Sequence, residues 1–206
     1  MVTGRRVSPG DARRSDEDLP LLGEPLPLEF ANSLYGAGDE RIDFLDTTAA
    51  VRRWFQHPRL VSAPKLPTQI RRAHAGAIRE LRDVVRHILR AALDGETPAP
   101  ELVIALNQAA ARAPLTARLS WDSNGPGAST RAKGPLLDVL LGTIATETIA
   151  LLSGPDRCLL RACTGPGCTL LFLQNHHRRR FCHPSCGHRD RQARYYQRTL
   201  THDRRS

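Results

Sequence analysis

Arg161-Ala-Cys-Thr-Gly-Pro-Gly-Cys168 and Arg180-Phe-Cys-His-Pro-Ser-Cys186 set four cysteines in a C-x4-C-x13-C-x3-C pattern. Zinc takes four soft donors that converge on one point, and each short knuckle brings two of them together at small loop-closure cost. The thirteen-residue spacer is expected to fold back as a hairpin. Cys163, Cys168, Cys182 and Cys186 are therefore the candidate ligands of one structural zinc ion per chain. Four thiolates close the coordination sphere and leave no position for an activated water. His176, His177, His183 and His188 are rival donors with less regular spacing. Cys158 lies five residues ahead of the first ligand among apolar neighbours and reads as a buried thiol. Disulfides would need an oxidising compartment, and Met1 to Leu19 lacks the apolar core of a secretory signal, so a reducing cytoplasm is the expectation.

Charge is concentrated in the same region. The chain of 206 residues carries a formal net charge of +9, and its last fifty-one residues hold eleven arginines against three aspartates, a net +8. Residues 1–155 are close to neutral. No apolar run approaches membrane-spanning length, so no membrane partner is expected. Three segments follow: a disordered tail over 1–18, where arginines and acids alternate with few apolar residues; a helical domain over 19–155; and a basic zinc module with a C-terminal helix over 156–206.

Working outward, three prolines postpone the first helix to about Leu28. Asp46-Thr-Thr48 can cap a short helix bearing Val51, Trp54 and Phe55, which His57-Pro58 stops. From Thr68 to Leu93, Ile70, Ala77, Ile78, Leu81, Val84, Val85, Ile88, Leu89 and Ala92 recur at three- and four-residue steps, with Arg71, Arg79, Arg82, Arg86 and Arg90 on other positions. That pattern predicts a long amphipathic helix ending at Gly95. Pro98 and Pro100 open a helix through Leu102, Ile104, Leu106 and Ala109. Ala117, Leu119 and Trp121 then alternate with polar residues ahead of the turn Asn124-Gly-Pro-Gly127, and Leu136 to Leu152 reads as a buried central helix. The fold class expected is mainly α with a small β-hairpin, a helical N-terminal domain followed by a small zinc-finger module.

Gly23-Glu-Pro-Leu-Pro-Leu-Glu-Phe-Ala-Asn-Ser33, Trp121-Asp122, Leu160-Arg-Ala-Cys163, Leu171-Phe-Leu173, Arg178-Arg-Arg-Phe-Cys182 and Cys186-Gly-His-Arg189 together resemble the CGNR zinc-finger family with its N-terminal ABATE domain. The resemblance spans roughly Leu21 to Arg198. It implies zinc and a role in stress-induced transcription control, with DNA as partner. The chain departs from the family pattern at His188, where the signature has Asn, at Gln174, where an acidic residue is usual, and at Phe181, where Trp is usual.

The residues give that role a chemical form. Arg178, Arg179 and Arg180 lie in the spacer, and on a helix from Ser185 to Thr199 Arg191, Arg194 and Arg198 share a stripe at i, i+3, i+7 beside His188 and Arg189. Guanidinium groups suit phosphate oxygens and guanine edges. In the N-terminal domain, Glu29 and Asn32 are polar residues three apart in an apolar segment. They can line an effector pocket with Arg52 and Trp121, or serve capping and interhelix hydrogen bonds. The reading is a DNA-binding transcription regulator whose N-terminal domain senses a small molecule or dimerises. The alternative is a small-molecule-binding protein or enzyme in which the finger is only a structural cap. No paired carboxylates, Ser-His arrangement or phosphate loop nominates catalytic residues.

Overall fold

The computed structural model describes residues 19–60 and 63–203, and the tail expected over 1–18 lies outside them. Six α-helices and three two-stranded ribbons make up the described chain. Helix α1 (Leu26–Asn32) is short because Pro25 and Pro27 set its start and Ser33 ends it, its hydroxyl donating to the Phe30 carbonyl at 2.7 Å. All seven of its residues are buried. The chain then forms strand β1 (Leu34–Tyr35), turns at Gly36, and returns antiparallel as β2 (Ile42–Asp43). Gly36 has φ +82°, and a Cβ there would stand 2.6 Å from the Glu40 carbonyl oxygen, so only glycine fits.

Thr47 caps α2 (Thr48–Phe55), its hydroxyl accepting from the Ala50 N–H at 3.0 Å. Val51, Trp54 and Phe55 face inward, and Phe30 meets Trp54 and Phe55 at ring separations of 6.0 and 6.2 Å. Helix α3 (Arg72–Asp94) ends at Gly95 in the left-handed conformation, φ +72°. Its inward face is Ala75, Ile78, Leu81, Arg82, Val85, Ile88 and Leu89. Arg82 corrects the polar placement that its residue type predicts, because its side chain is wholly buried. It grips both oxygens of Asp43 on β2 and donates through Nε to Asp83 at 3.0 Å. One and two turns further on, Arg86 donates to the carbonyls of Ala31 and Leu34, at 3.1 and 2.7 Å, and Arg90 donates to the Thr169 carbonyl. Burial pushes the Arg86 guanidinium down to about 10.

Helix α4 (Pro100–Ala111) buries Leu106 and Ala109 while Val103 and Ile104 stay exposed. Strand β3 (Leu115–Asp122) pairs only with β4 (Gly125–Ala132) among the described residues. The hairpin turn falls at Ser123-Asn124, not at 124–127, because Asp122 pairs with Gly125, whose φ is +103°. Pro126 stands opposite Trp121, inside the ribbon, and Leu119 and Trp121 project into solvent.

Helix α5 (Leu136–Ser153) is the central element. Its eighteen residues have a mean hydropathy of 1.6, which by length and composition reaches membrane-spanning range and corrects the expectation that no run does. Here Leu140, Leu141, Ile144 and Ala145 pack into the core against α1, α3 and α4. Gly142 lets α4 approach, since a Cβ there would meet the Ala109 carbonyl at 3.3 Å. The chain ends in strands β5 (Leu160–Ala162) and β6 (Leu171–Leu173), paired antiparallel, and helix α6 (Pro184–Asp203).

Removing one partner of a buried ion pair strands the other charge. Asp43→Ala is expected to lower the unfolding free energy by about 3 kcal/mol, near the low end because the carboxylate retains some exposure. Arg82→Met should cost less, since it removes the charge and keeps an apolar stem in the core. Urea unfolding of the two variants checks the order.

Candidate metal centre and nucleic-acid face

Cys163 and Cys168 sit in the connection between β5 and β6, so the first knuckle is the bend of a hairpin rather than the spacer after it. The ladder continues into the bend through Cys163 N–H to the Leu170 carbonyl at 2.9 Å, and Cys168 N–H closes a turn on the Gly165 carbonyl at 3.0 Å. Gly165 has no room for a side chain, because a Cβ would lie 2.8 Å from that of Cys186. The spacer, expected to fold back as a hairpin, instead contributes β6 to β5 and runs on through the bends at 176–180. Cys182 and Cys186 flank the start of α6. His183 shapes that start, its Nδ1 accepting from Ser185 N–H at 3.2 Å and meeting the Ser185 hydroxyl at 2.8 Å. His176 accepts from the Arg178 N–H and stacks on His177.

The four Sγ atoms lie within 4.8 Å of one another, with 3.7 Å from Cys168 to Cys182 and 3.6 Å from Cys182 to Cys186. A tetrahedron of Zn–S bonds near 2.3 Å has edges of about 3.8 Å. A disulfide needs sulfurs about 2.05 Å apart. The donor set therefore fits one zinc ion. Close packing of the four thiols couples them: the contact between Cys168 and Cys182 favours a thiolate at Cys168 and disfavours one at Cys182. A dication removes that conflict by replacing the protons. The Cys182 N–H points at Cys163 Sγ at 3.4 Å, and Arg189 donates to Cys186 Sγ at 3.1 Å. Cys158, expected buried, is exposed: only Leu160 of its apolar neighbours turns fully inward, and the Cys158 thiol donates to the Pro155 carbonyl at 3.0 Å.

Glu29 and Asn32 have structural partners. The Asn32 carboxamide donates to the Leu171 carbonyl and accepts from the Leu171 N–H, both at 2.8 Å and both buried. Glu29 Oε1 accepts from Leu22 and Glu24 N–H at 2.7 and 2.8 Å, and Oε2 is buried with no hydrogen-bond partner. Arg52 donates to the Thr68 carbonyl, and Trp121 is 73% exposed. The four turn to different surroundings, and of the two readings it is hydrogen bonding within the fold that the partners of Glu29 and Asn32 match. Residues that sequence reasoning passed over complete the junction. Glu24 accepts from Leu173 N–H at 3.0 Å and from Arg179 at 2.7 Å, and Gly36 N–H donates to the Thr169 hydroxyl at 2.9 Å.

The arginines divide in the same way. Arg179 binds Glu24 and the carbonyls of Leu173 and Cys182, and its guanidinium lies 4.7 Å over the Phe172 ring, so it holds the module together rather than facing outward. Arg178 and Arg180 are exposed, as are His188, Arg189, Arg191, Arg194 and Arg198 on α6, with Arg194 paired to Asp190. Tyr195 and Tyr196 are both exposed and meet edge to face.

Two outcomes follow. Purified protein should contain about one zinc per chain, lost in Cys163→Ser and Cys182→Ser and retained in Cys158→Ser, by elemental analysis. The second concerns Glu29, whose carboxyl burial pushes up to about 7 from about 4.3 in an unfolded chain. A raised carboxyl stabilises the fold fully below about pH 4 and loses that contribution as pH rises through 7. Glu29→Gln should match the wild type near pH 4 and exceed it above pH 7 by up to about 3 kcal/mol. The difference between their denaturation curves across this range reads it.

Residues 24–155 match the ABATE family, described as a putative stress-induced transcription regulator, and residues 159–199 match the CGNR zinc finger. No protein of curated function matches the chain.

Proposed function

The chain belongs to the ABATE family and carries a CGNR zinc finger, and we propose that it is a transcription regulator that grips DNA through the finger's helix. The observation that carries this is the exposure of α6. Among the residues of this helix whose side chains are described, 184–198, only Cys186 and Gly187 are buried, and from His188 to Arg198 it presents arginines with two exposed tyrosines. A helix polar all round gains little from its own protein, whereas a polyanion would neutralise its face. At about 30 Å, α6 is long enough to lie along a major groove with its base fixed by the zinc ion. Arg178 and Arg180 extend the same charge from the spacer.

A small-molecule effector is the second part of the proposal. Its candidate seat is the cleft that Leu19–Leu22, Tyr35 and Arg59 line together with Arg189 and three of the zinc ligands, Cys168, Cys182 and Cys186, so a ligand there would sit against the metal centre. A ligand there would touch both the N-terminal helical part and the finger, so its binding and DNA binding would change one another by the same factor.

If the exposed arginines neutralise phosphates, DNA affinity falls steeply with salt, and Arg178→Ala with Arg180→Ala together should flatten the log-log slope by about two units. Arg191→Ala should relax sequence preference, at about 1–3 kcal/mol if it reads a base. Arg179→Ala should instead destabilise the fold. A salt-independent binding curve for the zinc-loaded protein would overturn the DNA reading and favour the finger as a structural cap, welded to the helices by Asn32 and Glu24.

A further inference from the structure

A zinc ion bound by four thiolates has a net charge of −2, and three of these sulfurs are buried. A buried charge of that size needs compensation from nearby donors. Backbone donors supply part of it: Cys182 N–H reaches Cys163 Sγ at 3.4 Å, an ordinary length for a bond to sulfur, and the Leu170 backbone serves Cys168. The N-terminal end of α6 adds roughly half a positive charge. Among the described residues, the full positive charge with a hydrogen bond to a ligand sulfur is Arg189, whose Nη2 stands 3.1 Å from Cys186 Sγ. Three residues apart on α6, the two side chains meet on one face of the helix.

Arg189 also has a neighbour in the helical part. Tyr35, on β1, lies beside the guanidinium, and the two side chains line one cleft with Cys168. Tyr35 is fixed in turn: its neighbour Gly36 donates to the Thr169 hydroxyl, its other neighbour's carbonyl, that of Leu34, takes Arg86, and Thr169 follows the second ligand directly. One strand of two residues thus touches the finger beside Cys168 through Gly36 and beside Cys186 through Arg189.

We propose that Arg189, oriented by Tyr35, is the charge-compensating group of the zinc centre rather than a contact to DNA. It is a positioning residue that acts on the metal through Cys186 Sγ. Through Tyr35 the helical part sets how tightly the finger holds its ion. A guanidinium suits the task because its planar fork can serve the sulfur and the phenol at once, which an ammonium cannot do with the same geometry.

The inference rests on the zinc site and not on DNA binding, so it stands or falls separately from the proposed function. The test uses full-length, zinc-loaded protein in competition with a chromophoric chelator, and the same variants loaded with Co2+. Arg189→Gln is expected to weaken zinc retention by about ten- to a hundredfold, the range for lost partners around metal ligands. Arg189→Lys should recover part of that loss, and Tyr35→Phe should show a smaller loss in the same direction. Arg191→Ala, on the same helix but without a thiolate contact, should hold zinc like the wild type. In the cobalt forms, the sulfur-to-metal charge-transfer band should move in Arg189→Gln and Tyr35→Phe and stay in place in Arg191→Ala. A role in packing alone would leave that band unchanged. Zinc retention in Arg189→Gln equal to the wild type, or an unmoved band in both Arg189→Gln and Tyr35→Phe, overturns the proposal. Should Arg189→Gln fail to fold, Tyr35→Phe and Arg189→Lys carry the same two measurements.

Discussion

The Asn32 carboxamide is the interaction on which the rest of the molecule depends. Strand β6 belongs to a two-stranded ribbon, so one of its edges pairs with β5 and the other would be open. A carboxamide offers a donor and an acceptor side by side, as a peptide unit does. Asn32 closes that edge at Leu171 and, across 139 positions of sequence, ties the first helix to the finger. Each buried backbone group left without a partner costs about 1–3 kcal/mol, so α1 must deliver this side chain to one place. That requirement accounts for a seven-residue helix buried on every side, set by prolines at its start and stopped at once by Ser33. It also accounts for β6 serving two cores: Leu171 packs with the helices, while Leu170 and Phe172, its neighbours, pack with the cysteines.

Arginine does much of the remaining joining, and its distribution changes what the net charge means. Along α3, Arg82, Arg86 and Arg90 are spaced by four residues and reach β2, α1 and the first knuckle in turn, Arg82 through the Asp43 carboxylate and the other two through backbone carbonyls. In the finger, Arg161 bonds Gln174 and the carbonyls of Cys158 and Leu160, Arg179 binds Glu24, and Arg189 faces a thiolate. The +8 of the C-terminal region is therefore an upper bound on what a polyanion can meet. Arg178, Arg180 and Arg191 form the outward remainder that is easiest to justify, because they are exposed and lie on the spacer and the projecting helix.

Helices and metal ligands were legible in the sequence because each rests on a short-range rule: the 3.6-residue period of α3, the Thr47 cap, Pro100 at the start of α4, Gly95 at the end of α3, and cysteine spacing. What was not legible depends on partners far along the chain. Strands β1, β2, β5 and β6 have two or three residues each, too few to show alternation. A buried arginine carries the same letter as a solvated one, so Arg82 and Arg179 could be told from Arg178 only once Asp43 and Glu24 were known to face them. Glu29 and Asn32 looked like pocket residues because polar side chains in an apolar segment need partners. The partners are backbone groups of Leu22, Glu24 and Leu171, which no residue type reveals.

The zinc ion's part in this architecture is orientation. An isolated helix of mostly polar residues is marginal in water, and the described side chains of α6 after Gly187, up to Arg198, are exposed or half-buried. Two of the four ligands lie at that turn, so the metal fixes where the helix begins and the direction in which it leaves the body, while its length stays in solvent. Fixing the base this way lowers the entropy lost when the helix is gripped by a partner. Thr169, which follows one ligand, and Arg189, which is bonded to another, both meet the segment at Tyr35 and Gly36, so the base of α6 and the helical part are anchored at one place. A closed four-thiolate site thus links two regions mechanically without needing any chemistry of its own.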